Sequence, residues 1–181
     1  MKVLGYVKDG NLHLALEKCG MWAPVRGGRS VMEGAGLVKP WIGRTKQGTF
    51  AVIAVRDQEE GKPGLGRAVL YRSGDLIEFE EIGSVWLADE PIAAVRITFG
   101  NEIGADRYFI QWQGMDGGWH QASVSSIDKR VLSTSEIVST TITEYGLIPS
   151  GDIEKIGGID GEPVNILELS DTEYERLSRE V

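Results

Sequence analysis

LGYVKDGNLHLALEKCGMW, residues 4–22, reads as strand, turn, strand, turn and strand, and its pattern sets the fold class of the whole chain. Leu4–Val7 and Leu12–Leu16 flank Lys8-Asp9-Gly10-Asn11. Asp-Gly between two β-prone runs marks a tight hairpin, because glycine accepts the positive φ that such a turn requires. The same plan returns in Trp41–Gly83 and again in Ala94–Ile127. A unit recurring roughly every 50 residues is the mark of a stacked or radial array. Four short strands per unit is the content of a β-propeller blade, where the first strand of each blade lines the axis.

Working outward, Phe50-Ala-Val-Ile-Ala-Val55 is continuously apolar, which predicts an inner strand buried on both faces. Ala68–Tyr71 and Phe79–Leu87 complete that sheet, and Asp57–Arg67, charged and rich in glycine, reads as an exposed loop between strands. Ala94–Phe99, Tyr108–Trp112 and Trp119–Ser123 form the next sheet. The chain carries 24 glycines, and those at strand joins favour an all-β fold over α/β. Ser139–Glu162 lacks alternation and reads as an extended strap, with one more strand over Pro163–Leu169. Ser170-Asp-Thr-Glu173 is a capping box, with Leu169 and Tyr174 at the staple positions and Leu177 and Val181 continuing the face. It predicts a helix over Asp171–Glu180.

The expectation is therefore an all-β chain of two to three four-stranded propeller-type blades with a short C-terminal helix. Residues 1–138 hold the blades. Residues 139–181 form a strap, closing strand and helix packed on the same domain. At 181 residues the chain is long enough for one domain with a substantial core. Its 41% hydrophobic and 25% charged residues are those of an ordinary globular protein. A formal net charge of -8, with Lys and Arg scattered, argues against nucleic acid or an anionic membrane as partner. The single cysteine, Cys19, excludes an intrachain disulfide. Lys2-Val-Leu-Gly-Tyr-Val opens the chain as a strand with no apolar leader, which predicts a cytoplasmic protein.

LEKCGMWAP, GTFAVIAVR, VLYRSGDLIEFEEIG and Ala93–Trp112 resemble the first blades of family 43 glycoside hydrolases and related arabinofuranosidase- and xylosidase-like five-bladed propellers. In those blades a strand ends in Ser-x-Asp-Leu-x-x-Phe, whose aromatic residue fills the space between blades. Ser73-Gly-Asp75-Leu-Ile-Glu-Phe79 matches in full, and Lys18-Cys-Gly20-Met-Trp22 matches in part. The tail GEPVNILELSDTEYERL is similar to a segment that follows the last blade in such proteins. The resemblance implies an incomplete five-bladed propeller and an arabinose- or xylose-containing glycan as ligand.

It also implies inverting hydrolysis, with one carboxylate activating water and another carboxyl protonating the leaving oxygen. The residues depart from that pattern. The family's Arg-Asp-Pro falls on Val38-Lys39-Pro40, which puts Lys39 where the base stands, and an ammonium takes no proton from water. The second motif falls on Ala93-Ala94-Val95, where valine has no titratable group. The blade that carries the general acid is missing.

Asp89 and Glu90 precede the second inner strand and are the remaining acidic candidates, against the plainer reading of a solvated loop pair. Glu33 is a weaker one. His13 reads as a packed strand residue, and no His/Cys/Asp spacing suits a metal or another cofactor. Trp41, Arg96, Trp112 and His120 are the candidate substrate-binding residues, since sugars stack on aromatic rings and bond to polar side chains. The competing reading for each is core packing.

An open array would expose apolar sheet faces at a cost of about 25 cal/mol per Å². That predicts a homo-oligomer, or coverage by the strap and helix. Two functions follow: a diverged family 43-like protein whose catalytic carboxylates are replaced, or a non-catalytic carbohydrate-binding or assembly protein on the same scaffold.

Overall fold

The computed structural model describes residues 1–33, 37–55, 66–102, 105–127, 131–132 and 139–181. The expected loop over Asp57–Arg67 lies outside the described residues up to position 65, and Gly66 and Arg67 already belong to a strand.

The described residues form three sheets, antiparallel apart from one short late strand, none closed into a barrel. The first holds β1 (Lys2–Lys8), β2 (Asn11–Lys18) and β3 (Met21–Pro24). The second holds β4 (Val38–Arg44), β5 (Phe50–Val55), β6 (Gly66–Ser73) and β7 (Glu80–Ala88). The third holds β8 (Ile92–Glu102), β9 (Ala105–Gly114) and β10 (Trp119–Val124). Three later strands finish them: β11 (Val131–Leu132) pairs parallel with β7, β12 (Thr140–Ile142) with β10, and β13 (Glu162–Glu168) antiparallel with β1. The C-terminal segment is thus built into the first and third sheets. One short helix, α1 (Asp171–Ser178), ends the described chain.

Asp9 and Gly10 both have positive φ, 52° and 74°, and join Lys8 to its partner Asn11 as the sequence predicts. Cys19 and Gly20, at 51° and 76°, do the same between Lys18 and Met21. This corrects the expectation that Lys18–Trp22 repeats the Ser73–Phe79 corner, because the segment is a hairpin turn inside one sheet. At Ser73–Phe79 the corner is of another kind. Ser73 Oγ accepts from the Leu76 N–H at 2.8 Å, and Asp75 Oδ1 accepts from Ile77 and Glu78 N–H, each at 2.9 Å. Burial pushes the Asp75 carboxyl up, and these bonds outweigh it and hold the group below its ordinary range. The corner turns Leu76 into the core and leaves Phe79 packed against it.

The second sheet is the middle layer. Trp41, Ala51, Ile53 and Leu70 enter one apolar cluster with Val95, Ile97 and Ile110 of the third sheet. Ile42, Phe50, Val52 and Val69 enter the other, with Leu12, Leu14 and Leu16 of the first. Alternation sends successive side chains of one strand to opposite faces, and both faces here are covered. That is the physical reason Phe50–Ala54 is apolar without interruption.

β4 lies at the edge of its sheet and packs against β8 and β13, edge strands of the other two. A Cβ on Gly43 would stand 2.5 Å from the Ile97 carbonyl oxygen, so glycine alone permits that approach of β4 to β8. On the β13 side, buried Asn165 donates from Nδ2 to the Ile42 carbonyl at 2.8 Å and accepts from the Ile42 N–H at 3.1 Å. One carboxamide thereby satisfies both free backbone groups of a buried edge residue.

α1 starts at the capping box read from the sequence: Ser170 Oγ accepts from the Glu173 N–H and Glu173 accepts from the Ser170 N–H. Leu177 is buried beside Tyr174, whereas Val181 is exposed and does not extend the apolar face as expected. Glu173 also takes both Nη1 and Nη2 of Arg44, at 2.6 and 2.7 Å. The Arg44 guanidinium holds the Glu173 carboxyl down to about 2.

Asn165→Ala should lower unfolding stability by about 2–4 kcal/mol in urea titration, since it strands the Ile42 N–H and carbonyl in the interior. Glu173→Gln keeps the capping box and removes the ion pair. Because the folded carboxyl titrates below its unfolded value, the pair stabilises above the unfolded value and is lost as pH falls toward about 2. The variant should therefore be less stable than the parent by about 2 kcal/mol at pH 7, with the gap closing between pH ~5 and ~2.

Candidate functional site

The starts of the three central edge strands converge. Val38–Trp41 of β4, Ala93–Arg96 of β8 and Glu162–Val164 of β13 line one cleft of about 540 Å³, joined by Gln113 of β9 and Trp119 of β10. These stretches are far apart in sequence and are brought together by the packing of β4 against its two neighbours. Among the described residues, this cleft draws its lining from all three sheets, with charged and aromatic side chains together.

Arg96 is its centre. Its guanidinium carbon lies 4.6 Å from the centroid of the Trp41 ring and 5.0 Å from that of Trp119. Nη1 donates to the Ile148 carbonyl at 2.6 Å. Ile148 is held in turn by Gln111, the residue opposite Arg96 in the β8–β9 register. Buried Gln111 accepts from the Ile148 N–H at 2.8 Å and donates to the Gly146 carbonyl at 2.7 Å, fixing the strap beside the guanidinium. Burial works against the charged form of Arg96 and lowers its pKa. No carboxylate among the described residues pairs with it. The site thus holds a half-buried cation with no counter-ion among the described residues.

At the rim, Lys39 sits on a bulge of β4 with φ 48°, which turns its side chain to solvent. Its Nζ lies 3.3 Å from Glu162 Oε1. Val95, the other position where the resemblance expects an acid, is 2% exposed and points into the core shared with β4. Alternation along β8 leaves Ala94 and Arg96 on the other face. A carboxylate at Val95 would be buried in hydrocarbon.

Trp41 and Arg96, proposed from sequence, are therefore brought together. Trp112 and His120 are not in the cleft. They face each other across the β9–β10 pair with ring centroids 5.7 Å apart, and they line a separate hollow of about 230 Å³ with Glu90 and Asp116. Trp112 is 3% exposed and belongs to the core, so the packing reading holds for it. Asp89 and Glu90 are exposed on the bend between β7 and β8, and neither reaches the larger cleft. Glu33 is exposed and accepts from Ser30 Oγ at 2.8 Å. His13 is buried, its Nδ1 3.1 Å from the Gly28 carbonyl oxygen, with its ring stacked on Tyr6.

Trp119, Gln113 and Glu162 are the cleft residues that sequence reading missed. The signal for Trp119 was present: one step along a strand exchanges faces, so Trp119 and His120 cannot both serve one site. Nothing local distinguishes Glu162, which reaches the cleft through the pairing of β13 with β1.

Among the described residues no group of three or more His, Cys, Asp or Glu is placed to hold a metal ion, and no helix is long and apolar enough to cross a membrane. No family model, no curated protein and no solved structure matches the chain.

Proposed function

We propose that this protein binds a saccharide in the cleft at the head of β4, β8 and β13 without hydrolysing it. The observation that carries the reading is the content of that cleft: two tryptophans and an arginine, but a single carboxylate, Glu162, already paired with Lys39. Glycoside hydrolysis by the inverting route takes two carboxyl groups roughly 6.5–9.5 Å apart with water between them. The described lining offers one such group. Binding needs only what is there. Trp119 is partly exposed and offers a ring face, while Gln113, Lys39 and Glu162 supply donors and acceptors for hydroxyls. The volume falls within the roughly 300–1,000 Å³ usual for small-molecule sites.

The sugar class comes from the resemblance of the sequence to family 43 glycosidases, carried by the Ser73–Phe79 motif. On this reading the three sheets descend from propeller blades whose inner strands have kept an axial pocket and exchanged its acids. Arabinosyl and xylosyl oligosaccharides are the first ligands to try.

Nitrophenyl arabinofuranoside and xyloside should show no turnover above the uncatalysed rate, and hydrolysis abolished by Glu162→Gln would overturn the reading. Titration calorimetry against a panel of arabino- and xylo-oligosaccharides should give binding that Trp119→Ala weakens by about tenfold or more, the worth of a lost stacking face. The same substitution should leave the unfolding midpoint nearly unchanged, because Trp119 lies outside both core clusters.

A further inference from the structure

We propose that the ligand of this cleft carries a carboxylate, and that Arg96 is its counter-ion; as a saccharide, it is a uronic acid or an acidic sugar built on one. The inference rests on the saccharide-binding reading and narrows its ligand class.

A guanidinium presents five N–H donors in a planar fork that matches the two oxygens of a carboxylate. At Arg96 a single one is engaged by the described residues, in the bond from Nη1 to Ile148 O. The guanidinium carbon stands within 4.6 Å of the Trp41 centroid and 5.0 Å of the Trp119 centroid at the cleft wall. A contact with a ring face consumes no N–H donor, so the donors not engaged by the described residues suit an anion taken edge-on. Two arginines outside the cleft are used differently. Arg44 is spent on Glu173, the Glu168 carbonyl and the Gly48 carbonyl, and Arg107 on Ser123.

The charges around the cleft point the same way. Among the described residues its ionisable lining consists of Lys39, Arg96 and Glu162, and Lys39 and Glu162 offset each other at the rim. One positive charge remains, set deepest, in a protein whose overall charge is -8. A neutral sugar would leave that cation uncompensated in a partly desolvated wall. A carboxylate on the sugar ring would compensate it while the ring stacks on Trp119. Holding the fork in place is the work of Gln111, through the strap carbonyl of Ile148.

The test compares acid and neutral twins: galacturonate- and glucuronate-containing disaccharides against the galactose and glucose forms, with phenylacetate as a carboxylate without a sugar. Calorimetry should give roughly tenfold or tighter binding of an acidic disaccharide over its neutral twin. The preference should fall with added salt and vanish in Arg96→Gln while surviving in part in Arg96→Lys. Equal affinity for acid and neutral twins overturns the inference and leaves the saccharide reading standing. Phenylacetate binding tightly while no saccharide binds keeps the Arg96 contact and overturns the saccharide reading. Binding of none overturns both. An acid preference that persists in Arg96→Gln also overturns the assignment. Should that variant fail to fold, the indole N–H shift of Trp119 in the parent decides: it must move with the acid and not with the neutral twin.

Discussion

Where Asn165 meets Ile42, a side-chain amide replaces a missing strand. β4 must lie at the edge of its sheet to face both neighbours, and an edge residue in the interior would leave its N–H and carbonyl without partners. A continuing ladder would fuse the first and second sheets into one. Asn165 instead satisfies one residue and stops, so the two sheets stay separate ladders that pack face to face over a shared apolar cluster. Gly43 does the complementary work toward β8, where its missing Cβ brings two backbones together. Together these two residues fix the distances among the three strands whose starts form the cleft.

The same device appears at Gln111, whose carboxamide takes the backbone of the strap at Gly146 and Ile148. In both places a buried amide joins segments distant in sequence, by 123 positions for Asn165 and by 35 and 37 for Gln111. Amides suit the task because they donate and accept at once and carry no charge to desolvate. The ion pair of Arg44 with Glu173 sits nearer the surface, where charge costs less, and fastens the helix that follows β13. The chain end is therefore held twice, by a neutral contact inside and a charged one outside.

Much of the fold was legible because it is local. Asp9-Gly10 announces a hairpin through the φ it permits, Ser170–Glu173 announces a helix start through two reciprocal bonds, and Phe50–Ala54 announces a strand covered on both faces. The illegible part is relational. Nothing in Glu162–Glu168 says that it pairs with Lys2–Val7, and an asparagine in a strand reads as a weak strand former until its partner is known. At the site, Trp41 and Arg96 were found because each stands near the start of a first strand. Trp112 and His120 were misplaced because neighbouring aromatic residues on β9 and β10 alternate between core, cleft and a second hollow. Cys19 misled for another reason, since a turn within a sheet and a corner leaving one share the same residue types.

A site assembled from positions 38–41, 93–96 and 162–164 cannot exist before the chain is closed. Its walls come from contacts between segments far apart in sequence, which form at high entropic cost. On the proposed reading ligand binding and closure would be linked: an occupant of the cleft would stabilise the docking of β13 on β1 and β4, and loosening that docking would weaken the ligand. Arg96 sits at the junction of these segments. Its guanidinium touches Trp41 of the middle sheet, Trp119 of the third and the strap that leads to β13. An anion bound there would gather all three around one charge, so that the cleft and the closed fold become two descriptions of a single equilibrium.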